Sequence, residues 1–252
     1  MKHLNEYITE KLRINSNTKS FNYYPKIYDE LKEIIRLKLR ENKNANLNDI
    51  DVSEITNMVY LFEGLDPHNI DISEWDMSNV ENIGAMFYNC PNFNSDLSKW
   101  NVSNVTEMSS TFYACKNFNS DLSKWDVSKV EGMHATFSYC KNFNSDLSKW
   151  DVSKVKNMFR IFIFCENFTS DLSKWDVSNV EDMGSMFDNC HVFNSDLSKW
   201  DVSNCENMHS MFKECDKFNS DLSNWDVSKV RKMNEIFSRC KSLKKIPDWY
   251  KP

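Results

Sequence analysis

The chain has 252 residues, of which 31 are lysine or arginine and 37 are aspartate or glutamate. Residues 1–46 hold ten basic and six acidic side chains, whereas residues 47–252 hold 21 and 31 and carry a net charge of −10. The net negative charge of residues 47–252 argues against nonspecific binding to nucleic acid or to an anionic membrane, because both require a positively charged surface. No stretch approaches the roughly 18 apolar residues of a membrane span.

Residues 1–20 are predicted to form a leader or docking peptide, with a frayed terminus as the alternative. The pattern Leu4-x-x-Tyr7-Ile8-x-Glu10 resembles the capsid-targeting leaders of internal proteins in large tailed phages, which hints at a phage origin. The first residues are charged throughout and show no apolar secretion signal. We therefore expect a cytoplasmic or virion-associated location.

Residues 21–46 are predicted to form a helical N-terminal cap. Ile27, Leu31, Ile34 and Ile35 recur at the spacing of one helix face. Repeat arrays need such caps because their end faces are hydrophobic.

Tryptophans at one constant interval dominate the rest of the chain, and they predict a solenoid of eight repeats across residues 47–245. The tryptophans are Trp75, Trp100, Trp125, Trp150, Trp175, Trp200 and Trp225. We number the repeats 1 to 8, beginning near residues 47, 72, 97, 122, 147, 172, 197 and 222. Residues 246–252, which include a proline that cannot join a central strand, are predicted to form a C-terminal cap.

Each repeat combines two hydrophobic periods. In residues 97–105, Trp100 and Val102 alternate with polar residues, which predicts a short strand. From Val105 to Cys115 the apolar spacings are 3, 4 and 3, which predicts a helix. Four Ser-x-x-Glu pairs are interpreted as capping boxes that start these helices: Ser78 with Glu81, Ser128 with Glu131, Ser178 with Glu181, and Ser203 with Glu206. The predicted fold class is an α/β repeat, a right-handed leucine-rich-repeat-like solenoid with one short parallel strand and one short helix per 25-residue coil.

Two further columns of the repeat suggest metal or redox chemistry at first sight. Seven of the eight cysteines occupy one column from Cys90 to Cys240, without CxxC or Cys/His spacing, and are predicted to be buried free thiols. An aspartate column from Asp96 to Asp221 lacks the glycine-rich pattern of calcium-binding coils and is predicted to cap turns. The sequence therefore predicts no metal, no cofactor and no catalytic constellation.

The segment from Val177 to Cys190, VSNVEDMGSMFDNC, together with Phe193 to Trp200, resembles the BspA-like leucine-rich-repeat family and its mycoplasma branch of surface proteins. The resemblance implies a right-handed solenoid used in adhesion or protein binding, commonly on bacterial surfaces, without enzyme activity or catalytic residues. The chain departs from that pattern because it shows no export signal, lipobox or wall anchor.

Sequence variation concentrates on the predicted helices, where repeats 2 to 5 carry aromatic residues and an arginine. Such residues are enriched at interface hot spots. The predicted partner-binding residues are Tyr88, Tyr113, Tyr139, Phe159, Arg160, Ile163 and Phe164. The alternative for these positions is simple tolerance of hydrophobic residues.

The predicted function is a non-enzymatic protein-binding scaffold that uses the helical outer face of repeats 2 to 5. We expect a protein partner, no nucleic acid and a monomer rather than an oligomer. The alternative is a structural or self-assembling protein that uses a lattice of lysines and aspartates on the predicted strand wall. Its residues are Lys99, Lys124, Lys149, Lys174 and Lys199 beside Asp126, Asp151, Asp176, Asp201 and Asp226.

Overall fold

The computed structural model describes residues 21–251, so the predicted leader at residues 1–20 lies outside the described part. Within these described residues one helix, α1, spans Tyr28–Glu41 and falls within the predicted cap. Asp29 and Glu30 lie in its first turn and Lys38 and Arg40 in its last, which complements the helix dipole. Its apolar face, Leu31, Ile34, Ile35 and Leu39, is buried in the same core as the repeats. Among residues 21–251 no helix is long and apolar enough to cross a bilayer.

The repeats stack in register, so that each inward side chain packs on its equivalent in the next repeat. The Phe112 and Phe137 rings lie 5.6 Å apart, and Phe137 and Phe162 lie 5.7 Å apart. The Trp100 and Trp125 rings lie 6.2 Å apart and nearly parallel. These stacked phenylalanine and tryptophan columns form one continuous buried core.

The prediction of one strand and one helix per repeat is wrong. Beyond α1, the described residues form turns joined by isolated parallel bridges. Two bridges, Tyr23 with Ile50 and Asn46 with Asp71, lie near the start. The others form a row with one member in each repeat: Asn57, Asn82, Glu107, Gly132, Asn157, Asp182, Asn207 and Lys232.

The segment predicted as a helix carries the backbone hydrogen bonds between repeats. Met108, Ser110, Phe112 and Ala114 donate their N–H groups to carbonyls of the next repeat, at 2.8–2.9 Å. The N–H groups between them close tight turns, as when Tyr113 donates to the Ser110 carbonyl at 3.0 Å. Ser110 and Ala114 adopt left-handed φ values of 57° and 61°. We call this row of bonds the turn ladder.

The segment predicted as a strand is a pair of turns. Trp100 donates its N–H to the Leu97 carbonyl, and Val105 donates to the Val102 carbonyl. Side chains make the bonds between repeats here: the Trp125 indole donates to the Leu97 carbonyl at 3.0 Å, and the Ser120 hydroxyl accepts from the Leu97 N–H at 2.9 Å.

Repeat spacing explains why helices do not form. Equivalent phenylalanine rings in adjacent repeats lie 5.6 and 5.7 Å apart and equivalent tryptophan rings 6.2 Å apart, whereas an α-helix with its side chains is about 10 Å wide. A stack this tight leaves room for an extended or turn-rich backbone, whose neighbours lie ~4.8 Å apart. The 3-4-3 spacing of apolar residues therefore marks inward positions of a turn ladder.

The predicted capping boxes are also wrong, because no helix begins after them among the described residues. The Glu81 N–H donates to the Thr56 carbonyl at 2.8 Å as part of the turn ladder. The aspartates do cap turns, as predicted: the Asp96 carboxylate accepts the Ser98 N–H at 2.9 Å, and Asp121 accepts the Ser123 N–H in the same way.

The predicted C-terminal cap extends the tryptophan column by one more ring. Trp249 falls one position short of the regular interval after Trp225, yet the two rings lie 6.3 Å apart and nearly parallel. Its indole donates to the Leu222 carbonyl at 2.9 Å, just as the Trp225 indole donates to the Leu197 carbonyl. The C-terminal segment is thus one residue shorter than a regular repeat, yet Trp249 keeps the ring stacking and the indole hydrogen bond of the other tryptophans.

All eight cysteines are free thiols, and all except the partly exposed Cys240 are buried, which confirms the prediction. The Cys115 and Cys140 thiols contact the Phe87 and Phe112 carbonyls of the preceding repeat at 3.0 and 2.9 Å. Burial raises the pKa of Cys205 to about 11. Since the thiolate is the reactive form, we expect the cysteines to be unreactive while the stack is intact.

A thiol-labelling experiment in increasing urea tests this expectation. At pH 8 a disulfide reagent should label none of the seven buried cysteines in the native chain, and all seven in one step as the chain unfolds. Cys240 should react first, because it is only partly buried. Rapid labelling of several cysteines without urea would contradict the buried column.

Acid is expected to destabilise the stack through its turn-capping aspartates. Hydrogen bonds from Ser123 lower the pKa of Asp121, and those from Ser223 lower the pKa of Asp221 to about 2. A carboxylate whose folded pKa lies below its unfolded value stabilises the fold above the unfolded pKa, and this contribution is lost as pH falls towards the folded pKa. The free energy of unfolding should therefore fall between about pH 4 and 2.

Urea unfolding at several pH values between 6 and 2 measures this loss. Replacing Asp121 and Asp146 by asparagine keeps an oxygen acceptor but removes two titrating groups, so the pH slope should become shallower. An equal slope in this variant and the parent would show that other groups drive the acid effect.

Candidate functional site

Four of the predicted binding residues form a continuous stack of rings on the outside of the turn ladder. Tyr88 and Tyr113 lie 4.8 Å apart and nearly parallel. Tyr113 and Tyr139 meet edge to face at 5.5 Å, and Tyr139 stacks on Phe164 at 4.9 Å. These rings connect repeats 2 to 5.

The stack combines rings from two neighbouring columns of the repeat. Tyr88 and Tyr113 share one column of the repeat, whereas Tyr139 and Phe164 occupy the next column, at left-handed φ values of 62° and 59°. Two columns that are distinct in sequence therefore merge into one row of rings in space.

Tyr60 in repeat 1 also belongs to this row, and sequence analysis missed it. Its ring lies 6.0 Å from Tyr88 in an edge-to-face arrangement, and its side chain is 44% exposed. It stands in the column of Ala85 and Ser110, where the other repeats show no aromatic residue. We call the row Tyr60, Tyr88, Tyr113, Tyr139 and Phe164 the aromatic row.

The other three predicted residues have different positions. Ile163 is only 5% exposed, so its side chain lies in the core and not on the outer surface with the rings. The Arg160 guanidinium is exposed and lies 4.7 Å from the centre of the Phe159 ring, forming a cation–π pair. Burial raises the pKa of the Tyr113 phenol, and the Arg160 charge partly offsets this rise.

The surroundings of the aromatic row differ along its length. Near Tyr88 lies a shallow cavity of about 630 Å³, lined also by Glu63, Asp66 and Asn92. In the columns that Tyr113 and Phe164 occupy, repeats 6 and 7 carry Asp188 and Glu214. The aromatic row thus ends where polar residues replace rings.

Comparison with profiles of protein families identifies the family to which the chain belongs. Its residues 30–150 and 133–250 both match the profile described as Mycoplasma protein of unknown function, DUF285. The chain belongs to the DUF285 family. Searches of curated proteins and of solved structures found no match.

The lysine and aspartate columns of this DUF285 chain do not form a strand wall. Asp126 and Asp151 accept the N–H groups of Ser128 and Ser153 at 3.1 and 3.0 Å, so their carboxylates are engaged in local turns. Lys99 pairs with Glu74 at 2.9 Å, and both side chains are exposed. Exposed pairs of this kind contribute little to stability.

Within residues 21–251 of the DUF285 chain, no group of three or more histidine, cysteine, aspartate or glutamate side chains is placed to hold a metal ion. His191 contacts the Glu214 carbonyl at 3.0 Å and lies 3.6 Å from the Asp216 carboxylate. The chemistry offered by the outer surface is aromatic stacking, cation–π contact and ion pairing.

Proposed function

We propose that this DUF285 protein is a non-enzymatic scaffold that binds a protein partner through the aromatic row. The observation that carries the proposal is the continuity of five partly exposed rings across repeats 1 to 5. Tyrosine rings supply contact area at low entropic cost and dominate binding energy at protein interfaces. The exposed Arg160 next to Phe159 adds a second residue type that is enriched there.

The fold supplies rigidity for such a surface. The rings of repeats 2 to 5 extend from backbone segments that are bonded to neighbouring repeats, as Ala114 is to Ser138 and Tyr139 to Ile163. A partner therefore meets a surface that needs little ordering on binding, which preserves affinity. A role in adhesion, and membership of the BspA-like branch suggested by the repeat sequence, are part of the same proposal.

Affinity capture from host lysate and envelope fractions tests the proposal. The test variant replaces Tyr88, Tyr113 and Phe164 by serine; the matched control makes the same change at Asp188, Lys213 and Asn189, which occupy the same columns in repeats 6 and 7. Both variants are first shown to be folded by circular dichroism and thermal unfolding. We expect the parent and the control to capture the same specific protein and the test variant to lose it, with affinity reduced at least about 100-fold.

Two outcomes would overturn the proposal. Equal capture by the test variant would show that the aromatic row is not the binding surface. Loss of capture in the control variant as well would show that the contact does not depend on the rings.

A further inference from the structure

The last repeat presents four backbone N–H groups that have no acceptor among residues 21–251. In repeat 7 the equivalent groups donate to repeat 8: Met208 to Lys232, Ser210 to Asn234, Phe212 to Ile236, and Glu214 to Ser238, at 2.7–3.0 Å. In repeat 8 the corresponding donors belong to Met233, Glu235, Phe237 and Arg239. We call these four groups the tail edge. A row of unpaired donors is a template for an added extended chain.

An apolar hollow accompanies the tail edge. It has a volume of about 760 Å³, and its lining includes Met233, Phe237, Ile246 and Tyr250. Ile246 is 59% exposed, the largest exposed fraction among the large apolar residues of the described chain. Met233 is partly exposed, whereas its equivalents Met183 and Met208 are fully buried. The hollow can take an apolar side chain from a segment that pairs with the tail edge.

Basic residues surround the tail edge. Residues 226–251 hold eight lysines and arginines and three acidic residues, a net charge of +5 in a chain whose total is −6. Arg231, Lys232 and Lys251 line the hollow itself, beside Glu235. Glu235 is paired with Lys213 of repeat 7 at 2.6 Å, so the acidic group in the lining is already neutralised.

Some of the basic side chains pair with carboxylates of repeat 7 but remain exposed to solvent. Arg239 contacts Glu214 at 2.6 Å and is 73% exposed, and Lys241 contacts Asp216 at 3.0 Å. Lys232 and Lys251 make no ion pair with any residue from 21 to 251. The surface therefore attracts a negatively charged partner.

A second copy of the chain does not fit as readily, because α1 covers the opposite end of the stack. Lys32 of α1 donates to the Tyr60 carbonyl at 2.8 Å, and Lys38 pairs with Asp49 at 2.9 Å. The apolar face of α1 packs into the same core as repeat 1. A second copy would have to approach past α1, and residues 21–46 carry a net charge of +2, which opposes the basic tail edge.

We propose that the tail edge binds an extended acidic segment of a partner protein, which adds itself to the turn ladder. Its carbonyls accept from the four unpaired N–H groups. Since these donors stand at alternate positions, their acceptors span about seven residues. The acidic side chains of the segment face Arg231, Lys232 and Lys251, and an apolar side chain fills the hollow. This surface is separate from the aromatic row and independent of its function.

Amide hydrogen exchange on the full chain, followed by NMR, tests the proposal with two probes. The first is an alternating Glu-Val peptide and the second an alternating Lys-Val peptide, each of about twelve residues. In the free chain the four tail-edge amides should exchange much faster than those of Met208, Ser210, Phe212 and Glu214. The Glu-Val peptide should slow their exchange at least about tenfold, and the Lys-Val peptide should leave it unchanged.

Charge variants provide the matched comparison. Replacing Lys232 and Lys251 by glutamate should weaken binding of the Glu-Val peptide about tenfold or more at low salt. Replacing the exposed Lys124 and Lys149 by glutamate changes the total charge equally and should leave binding as it was. Replacing Ile246 by serine should weaken binding without altering its salt dependence.

Several results would overturn the proposal. The first is the absence of binding at millimolar peptide, which would assign the basic residues a protective role against edge-to-edge aggregation. Binding without protection of the tail-edge amides, or equal protection by both peptides, would exclude the proposed geometry or charge. Protection that rises with protein concentration and no peptide would show that a second copy is the occupant.

Discussion

Replacing Phe137 by alanine is expected to lower the free energy of unfolding by about 3–5 kcal/mol. The ring is fully buried in repeat 4 and stacks on Phe112 and Phe162 at 5.6 and 5.7 Å. It also packs on Phe143 at 4.1 Å within its own repeat. Its neighbours are held by the turn ladder and cannot close the cavity, which places the loss in the upper part of the range for core truncations.

Urea unfolding followed by tryptophan fluorescence measures this change. The control is Tyr139→Ala in the same repeat, where the ring is 37% exposed and the expected loss is within about 1 kcal/mol. A loss below about 1 kcal/mol for Phe137→Ala would contradict a rigid stack. Because each repeat contacts only its neighbours, the variant is also expected to broaden the transition.

Replacing Ala114 by valine is expected to lower the free energy of unfolding by about 2 kcal/mol, while glycine at the same position should raise it by about 0.5–1 kcal/mol. Ala114 has a φ of 61°, in the left-handed region. A β-branched side chain is most strained there, and glycine is free of strain. The Ala114 N–H donates to the Ser138 carbonyl at 2.8 Å. Because this hydrogen bond involves only backbone atoms, the valine and glycine variants can also form it.

The sign of the glycine effect separates the turn ladder from a helix. In a helix, glycine would cost about 1 kcal/mol relative to alanine, and valine would cost about half that amount. Both variants are compared by urea unfolding, with Ala45→Gly as a control at a position outside the turn ladder that has no left-handed φ. Destabilisation by glycine at position 114 would support the helical interpretation and contradict the turn ladder.

Side-chain burial followed closely from the sequence, whereas backbone conformation did not. Trp100, Phe112 and Cys115 are buried because their columns recur in successive repeats and are apolar each time. The alternation around Trp100 and the 3-4-3 spacing after Val105 nevertheless predict a strand and a helix, where the structure has turns. Inward-facing positions in a turn have the same spacing as those in a strand or helix, so periodicity alone could not distinguish them.

Four of the five residues of the aromatic row could be predicted from the variation between repeats. Tyr88, Tyr113, Tyr139 and Phe164 stood out because they vary at positions where other repeats are polar. Tyr60 lies in a different column, and the sequence does not distinguish the buried Ile163 from Arg160 and Phe164, which are at least partly exposed. No sequence signal joins Tyr60 to Tyr88, since the separation of the two residues differs from the repeat period.

By itself, the sequence of this DUF285 protein determined the number of repeats, the buried columns, the free thiols, the turn-capping aspartates and the position of α1. These features depend on which residues are apolar or short and polar, and on their spacing. Only the tertiary structure decided which segment pairs between repeats, how the rings of different columns meet, and which N–H groups of repeat 8 have no acceptor among residues 21–251. Those outcomes depend on the distance between stacked repeats, which is too short for a helix and is set by the packing of the phenylalanine and tryptophan columns.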